Sequence, residues 1–261
     1  MSKQIQILAA MVATALASPV AQVSATPVRI LEIVAERGDL EVAFDDGRIL
    51  KGEDLKGAIV TIAGMKDLKI ADVQADPLDK LHEIRLFDLL QQDAGGEWKP
   101  ICKRSYDGRT SALVMAEPED ATKITIICAA ANYAKCARFG YAPWRTAPDG
   151  RSMALWHQAC LKMLPAEYGG DGVPHTVNGT MIDVFDFIGI NSPTPSDDAM
   201  DFEAGWTPKG AVCVAHARVP KVSTLAAVAK DYPALPTGPD DCTPTSARAA
   251  GALVLNRSMS H

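Results

Sequence analysis

Two of the five histidines fall in one stretch, Trp156–Ile190, with a cysteine, a Gly-Gly-Asp-Gly turn and an Asn-Gly dipeptide. His157 and Cys160 stand three apart in a helical pattern, so their side chains are neighbours. Three chemistries suit that pair. A positive imidazole can lower a thiol pKa and activate it. The two can be part of a zinc ligand set. Or Cys160 is half of a disulfide one turn from a packed histidine. Asp171, His175 and Asp183 form a second group. A carboxylate that orients an imidazole makes a general base, and a glycine turn leaves room for a substrate. Gly-Asp-Gly is equally an ordinary turn in which Asp bonds its own backbone. Asp183 and Asp186 would point to opposite faces of a strand and cannot act as a pair. His216, with Arg218 on its face, follows Cys213, and three imidazoles (His157, His175 and His216) are a ligand set of catalytic zinc. The spacing does not require that convergence. The catalytic assignment is therefore His157, Asp171 and His175, with no metal and no cofactor assigned. There is no G-x-S-x-G elbow, P-loop, H-E-x-x-H or G-x-G-x-x-G.

The elements that must position these residues follow from periodicity. Residues 28–120 read as short antiparallel strands at regular spacing: Ile30–Val34, Leu40–Phe44, Ala58–Ile62, Leu68–Val73, His82–Leu89, Trp98–Cys102 and Ser111–Met115, with glycine turns between them. His82 falls in one of these strands, facing solvent. After Pro118 the pattern changes. Lys123–Cys128 is a strand, and Ala129–Phe139 is a helix ending at Gly140. Ser152 caps a helix to about Leu164, with Met153, Trp156, Cys160 and Met163 on its core face. Asn178-Gly179 signals a hairpin leading into strand Met181–Ile190. Residues 191–201 form a loop, Ala211–Arg218 a strand, and Ser223 caps a last helix through Tyr232. From Pro233 the chain is loose apart from Cys242 and a short element over Ala249–Leu255. The fold class is α+β, an antiparallel β meander followed by a helix-containing, disulfide-stabilised C-terminal half.

Lys3, the apolar run Ile5–Leu16 and Val23-Ser24-Ala25 read as a secretory signal over residues 1–25. The run is shorter than the roughly 20 residues a spanning helix needs, and Pro19 breaks it. Removing it leaves 236 residues (261 less 25) over 26–261, enough for one core, and a single domain is expected. Its parts are a β-rich segment 26–120, a segment 121–232 holding the candidate residues, and the segment 233–261. Removing the one Lys of the signal (26 less 1, against 32 acidic residues) takes the net charge to −7. An acidic chain without a basic cluster excludes nucleic acid as a partner, and no membrane span remains after the signal. The partner itself is not legible. The six cysteines, Cys102, Cys128, Cys136, Cys160, Cys213 and Cys242, read as disulfides in an exported chain, with 15 possible pairings. Asn178-Gly-Thr180 and Asn256-Arg-Ser258 match the glycosylation pattern.

Cys128-(x7)-Cys136-Ala-Arg-Phe-Gly-Tyr-Ala-Pro-Trp144, His157-Gln-Ala-Cys160 and Ala166-Glu-Tyr-Gly-Gly-Asp-Gly172 together resemble the ADYC domain of secreted bacterial proteins. That family is named for an Ala-Asp-Tyr-Cys run followed by Gly-Asp-Gly. Gly179-Thr-Met-Ile-Asp183, Asp186 and Gly205-Trp-(x3)-Gly-Ala-Val-Cys213 extend the resemblance. It implies an exported bacterial protein, periplasmic or extracellular, and brings no mechanism. Two positions depart from the signature: Glu167 stands for Asp, keeping the charge, and Gly169 stands for Cys, removing a thiol. The leading expectation is a binding or structural module of the cell envelope. The alternative is a hydrolase using the His/Asp residues, with or without a metal.

Overall fold

The computed structural model describes residues 29–60, 66–117, 120–195 and 199–259. The expected signal, residues 1–25, lies outside them. The fold is α+β and almost wholly antiparallel. The expected single domain divides between Ala134 and Lys135 into two compact units.

The first unit is the predicted meander. β1 (Ile30–Glu36), β2 (Asp39–Phe44) and β3 (Ile49–Lys51) form a three-stranded sheet. Arg37 and Gly38 join the first two with φ of 51° and 82°, the positive pair of a type I′ turn. A second sheet has the order β4 (Ile59–Val60), β5 (Leu68–Ala75), β6 (Arg85–Gln92), β8 (Ala112–Glu117), β9 (Asp120–Cys128), with β7 (Trp98–Pro100) paired to β6. Val42, Leu55, Ile70, Val73, Phe87 and Val114 fill the space between the sheets. The Cys102–Cys128 disulfide closes this unit. His82 is not in a strand. It sits before β6 in a turn with φ of 55°, where its amide donates to the Asp79 carbonyl at 3.0 Å.

Near the unit boundary lies α1 (Asn132–Arg138). The second unit then holds α2 (Ala154–Met163), β10 (Ile182–Asp186), β11 (Met200–Thr207), β12 (Gly210–Val214), α3 (Leu225–Asp231), α4 (Pro244–Ala249) and β13 (Val254–Met259). Its sheet order is β10-β13-β11-β12. The apolar face of α2 meets one side of the sheet, where Trp156, Ala159 and Met163 pack with Ala204, Trp206, Val214 and Val254. α4 covers the other side with Phe185, Cys213, Ala247 and Leu255. Cys136–Cys160 ties α1 to α2, and Cys213–Cys242 ties β12 to the chain before α4.

Several local expectations differ. The segment 233–261 is not loose: it supplies α4 and β13, and β13 lies inside the sheet, between β10 and β11. Asn178-Gly179 makes a turn without a hairpin, because β10 pairs with β13 rather than with the residues before it. α3, which the sequence made the last helix, is capped by Thr224, whose hydroxyl accepts from Ala227 N–H at 3.2 Å, not by Ser223. β11 begins within the expected loop and runs on to Thr207. Its alternation is broken by an irregularity between Phe202 and Ala204, so no period of two is legible there.

Candidate functional site

The signature run 166–172 follows α2 and turns back over it. Ala166 adopts φ of 51°, and the Ala166 amide still reaches the Met163 carbonyl at 2.9 Å. Glu167 pairs with Lys162 of α2 and accepts from Gly172 N–H at 2.6 Å. That bond holds the Gly-Asp-Gly turn closed. A Cβ on Gly170 would lie 1.8 Å from the Lys209 carbonyl oxygen. The absence of a side chain lets this turn lie directly on the one joining β11 to β12. The Tyr168 carbonyl accepts from Ala211 N–H at 3.0 Å and fixes the same junction.

Tyr168 points inward, fully buried, with its ring stacked on Trp206 at 5.5 Å. Its hydroxyl enters a buried charged cluster that sequence reasoning did not find. The β11 bulge turns Glu203 toward the α2 side of the sheet, where it is wholly buried. Arg218 donates from Nε to Glu203 Oε2 at 2.8 Å, from Nη1 to the Leu164 carbonyl at 2.9 Å and from Nη2 to the Met163 carbonyl at 2.9 Å. Tyr168 donates to Glu203 Oε1 at 3.2 Å and accepts from Arg218 N–H at 3.0 Å. Asn256 donates to Glu203 at 2.6 Å and accepts from Trp206 Nε1 at 2.8 Å. Burial, then the Glu203 carboxylate, holds the Tyr168 phenol far above its ordinary pKa. The guanidinium of Arg218 also satisfies the last carbonyls of α2, which have no partner within the helix. Removing one member of such a pair strands the other charge and costs about 3–5 kcal/mol. Asn256 is therefore spent inside the core and is not an accessible glycosylation acceptor.

The predicted catalytic residues are distributed as follows. His157 is buried on α2. Cys160 beside it is disulfide-bonded to Cys136, so no thiolate is available for activation. His175 is buried; its ring faces Tyr168 at 5.2 Å and Tyr232 at 6.0 Å, and Nδ1 lies 3.1 Å from the Ala166 carbonyl. Asp171 is exposed and bonds Val173 N–H at 3.0 Å and the Tyr232 hydroxyl at 2.9 Å. The Val173 amide leads in holding the Asp171 carboxyl below its ordinary pKa, with Tyr232 and the nearby His175 adding to it. Burial and the Asp171 carboxylate push the Tyr232 phenol up to about 12. Asp171 and His175 thus share one neighbourhood through Tyr232, and the bonding partner of Asp171 is the tyrosine. His216 instead meets the Ser258 hydroxyl at 3.0 Å through Nε2. Among the described residues no group of three or more His, Cys, Asp or Glu side chains is placed to hold a metal ion. Asp183 pairs with Arg257 and Thr194, whereas Asp186 accepts from the Tyr141 hydroxyl and three backbone amides.

Gly169, where the signature has Cys, faces the ring of Tyr232. A Cβ there would fall 2.1 Å from Tyr232 Cε1. The aromatic ring occupies the space a thiol would need. None of the six cysteines is left free by its absence.

A separate concavity lies on the first unit. This open cleft of about 260 Å³ is lined by Arg37, Asp39, Lys51, His82, Glu83 and Arg85, with Glu36 and Glu41 at its side. Two of its residues, Arg37 and His82, carry the positive φ noted above. Burial leads in raising the Asp39 carboxyl pKa, against the backbone N–H of Leu40 and the Arg85 charge. This site was missed because its residues come from β1, β2 and the turn joining them, β3, the turn before β6 and the start of β6, with no motif between them.

No curated protein and no solved structure matches the chain. The model of one family, the ADYC domain, matches residues 52–220. That span takes in Gly52 through β12 and Arg218 but not β13, so the Asn256 end of the buried cluster lies beyond it. By that match, and by the Ala-Glu-Tyr-Gly run folded around the buried tyrosine, the chain belongs to the ADYC domain family.

Proposed function

We propose that this chain is a binding or structural module of the bacterial cell envelope, exported to the periplasm or beyond. One observation carries the reading: the polar residues of the signature run are spent on building the second unit. Glu167 closes a turn, Tyr168 serves the Glu203–Arg218 pair, and Asp171 holds Tyr232. Three disulfides support an oxidising location, since such bonds persist outside the cytosol. The polar cleft of the first unit gives a binding module a concave, charged surface on which to act.

The competing reading is a hydrolase using His157, Asp171 and His175. A screen of the purified protein against ester, peptide and glycan substrates separates the two, with Asp171→Asn as the surface control and His157→Ala as the buried one. The expected result is no turnover above buffer for wild type or either variant. Turnover that Asp171→Asn abolishes in a folded protein would overturn the module reading.

A further inference from the structure

Three of the nine methionines come together in the second unit, although they are far apart in sequence. The register places Met200 of β11 directly opposite Met259 of β13. On the other side of β13, Ile182 opposes Ser258 in antiparallel pairing. Met181 directly precedes β10, and the same register carried one step outward sets it against Met259. Met200 and Met259 are thus an observed cross-strand pair, with Met181 at the strand end beside them. Directly opposed residues share a face of the sheet, with Cβ atoms about 4.5–5.5 Å apart. The next row inward confirms the face: Asp183, Arg257 and Phe202 follow at a spacing of two, and Asp183 bonds Arg257 through Nε at 2.9 Å. Beyond them Phe185 and Leu255 enter the core under α4.

The row lies at the open end of that face. Met181 is 68% exposed and Met259 44% exposed, while Met200 is buried at 6%. Two neighbouring thioethers exposed at the end of the sheet bury little of their own surface. Methionine has a flexible, unbranched side chain, so three in a row can turn their sulfurs toward the central one. Thioethers are soft, neutral ligands. They bind soft cations such as Cu(I) and are poor ligands for hard divalent ions. The adjacent Arg257 would repel a cation, but Asp183 neutralises it.

We propose that Met181, Met200 and Met259 form a thioether site for a soft monovalent cation, Cu(I) or its analogue Ag(I). Its cargo is the bare ion, and it is independent of the cleft of the first unit. The test uses Ag(I) on the full chain in chloride-free buffer, because silver, unlike Cu(I), needs no added reductant that would open the disulfides. Calorimetry should show one Ag(I) per chain, with no uptake of Zn(II) at the same concentration. With [ε-13C]methionine labelling, the methyl signals of Met181, Met200 and Met259 should shift and the others stay in place. Met181→Leu should weaken binding about tenfold or more. Met181→Leu/Met259→Leu should abolish it while thermal unfolding stays unchanged, both positions being exposed. Silver uptake that persists in the folded double variant, shifts at other methionines, or no uptake at all would overturn the proposal.

Discussion

At Gly169 a side chain would contend with the Tyr232 ring for one volume. The signature cysteine and the Tyr232 ring compete for the same volume, and here the ring has it. Gly169→Cys should therefore overpack the site and destabilise the second unit by about 1–3 kcal/mol. Adding Tyr232→Ala should recover part of that loss, and a double-mutant cycle in urea measures the coupling. Equal losses in the two backgrounds would show that the ring is not what excludes the thiol. At this scale the sequence was informative about identity and silent about role. The run Ala166–Gly172 was visible as a signature, yet its meaning depends on Glu203, Arg218 and Asn256, which approach it only through folding. An isolated Glu203 gives no pattern that distinguishes a buried ion-pair partner from a surface acid.

Among the elements, the strands of the first unit were legible because β2 alternates apolar and polar residues, β5 does so in part, and glycine-rich turns separate the apolar runs. β11 and β13 were not. A bulge at Glu203 breaks the alternation of β11, and β13 is buried on both faces while carrying Asn256 and Ser258. Its polar residues are satisfied within the core, which hydropathy cannot register. β10 is fastened to β13 by Asp183 and Arg257. Burial works against the Asp183 carboxylate, but its bonds to Arg257 and Thr194 outweigh it and hold the pKa below 3.8. A carboxyl with a lowered folded pKa contributes stability above its unfolded value, and loses it as pH falls through the folded one. Asp183→Asn should cost about 1 kcal/mol at neutral pH and nothing once acid has protonated the wild-type carboxyl. Unfolding midpoints measured from neutral to strongly acidic pH should converge at the acid end. Curves that stay parallel would refute this assignment.

The whole molecule is stapled unevenly. One disulfide closes the first unit and two close the second, across separations of 26, 24 and 29 residues. Loops of that length contribute about 3 kcal/mol each. Reduction should therefore weaken the second unit about twice as much as the first. Amide exchange followed separately in β6 and β11, with and without reductant, reads the difference. Equal loss of protection in both would contradict the two-unit division. Mass spectrometry without reduction should recover only the three observed pairs. The cysteine count announced the bonds but not their partners, because pairing is set by strand and helix placement that spacing does not encode.

The position of β13 fixes a schedule for assembly. β10, β11 and β12 precede Val254–Met259 in the chain, yet β10 and β11 do not pair with each other. Until Val254–Met259 join the sheet, β10 and β11 each keep an open edge, and Glu203 lacks the amide of Asn256. A chain in that state is exposed to strand exchange with its neighbours. Completion of the unit waits for its final six strand residues, which close both edges in a single step.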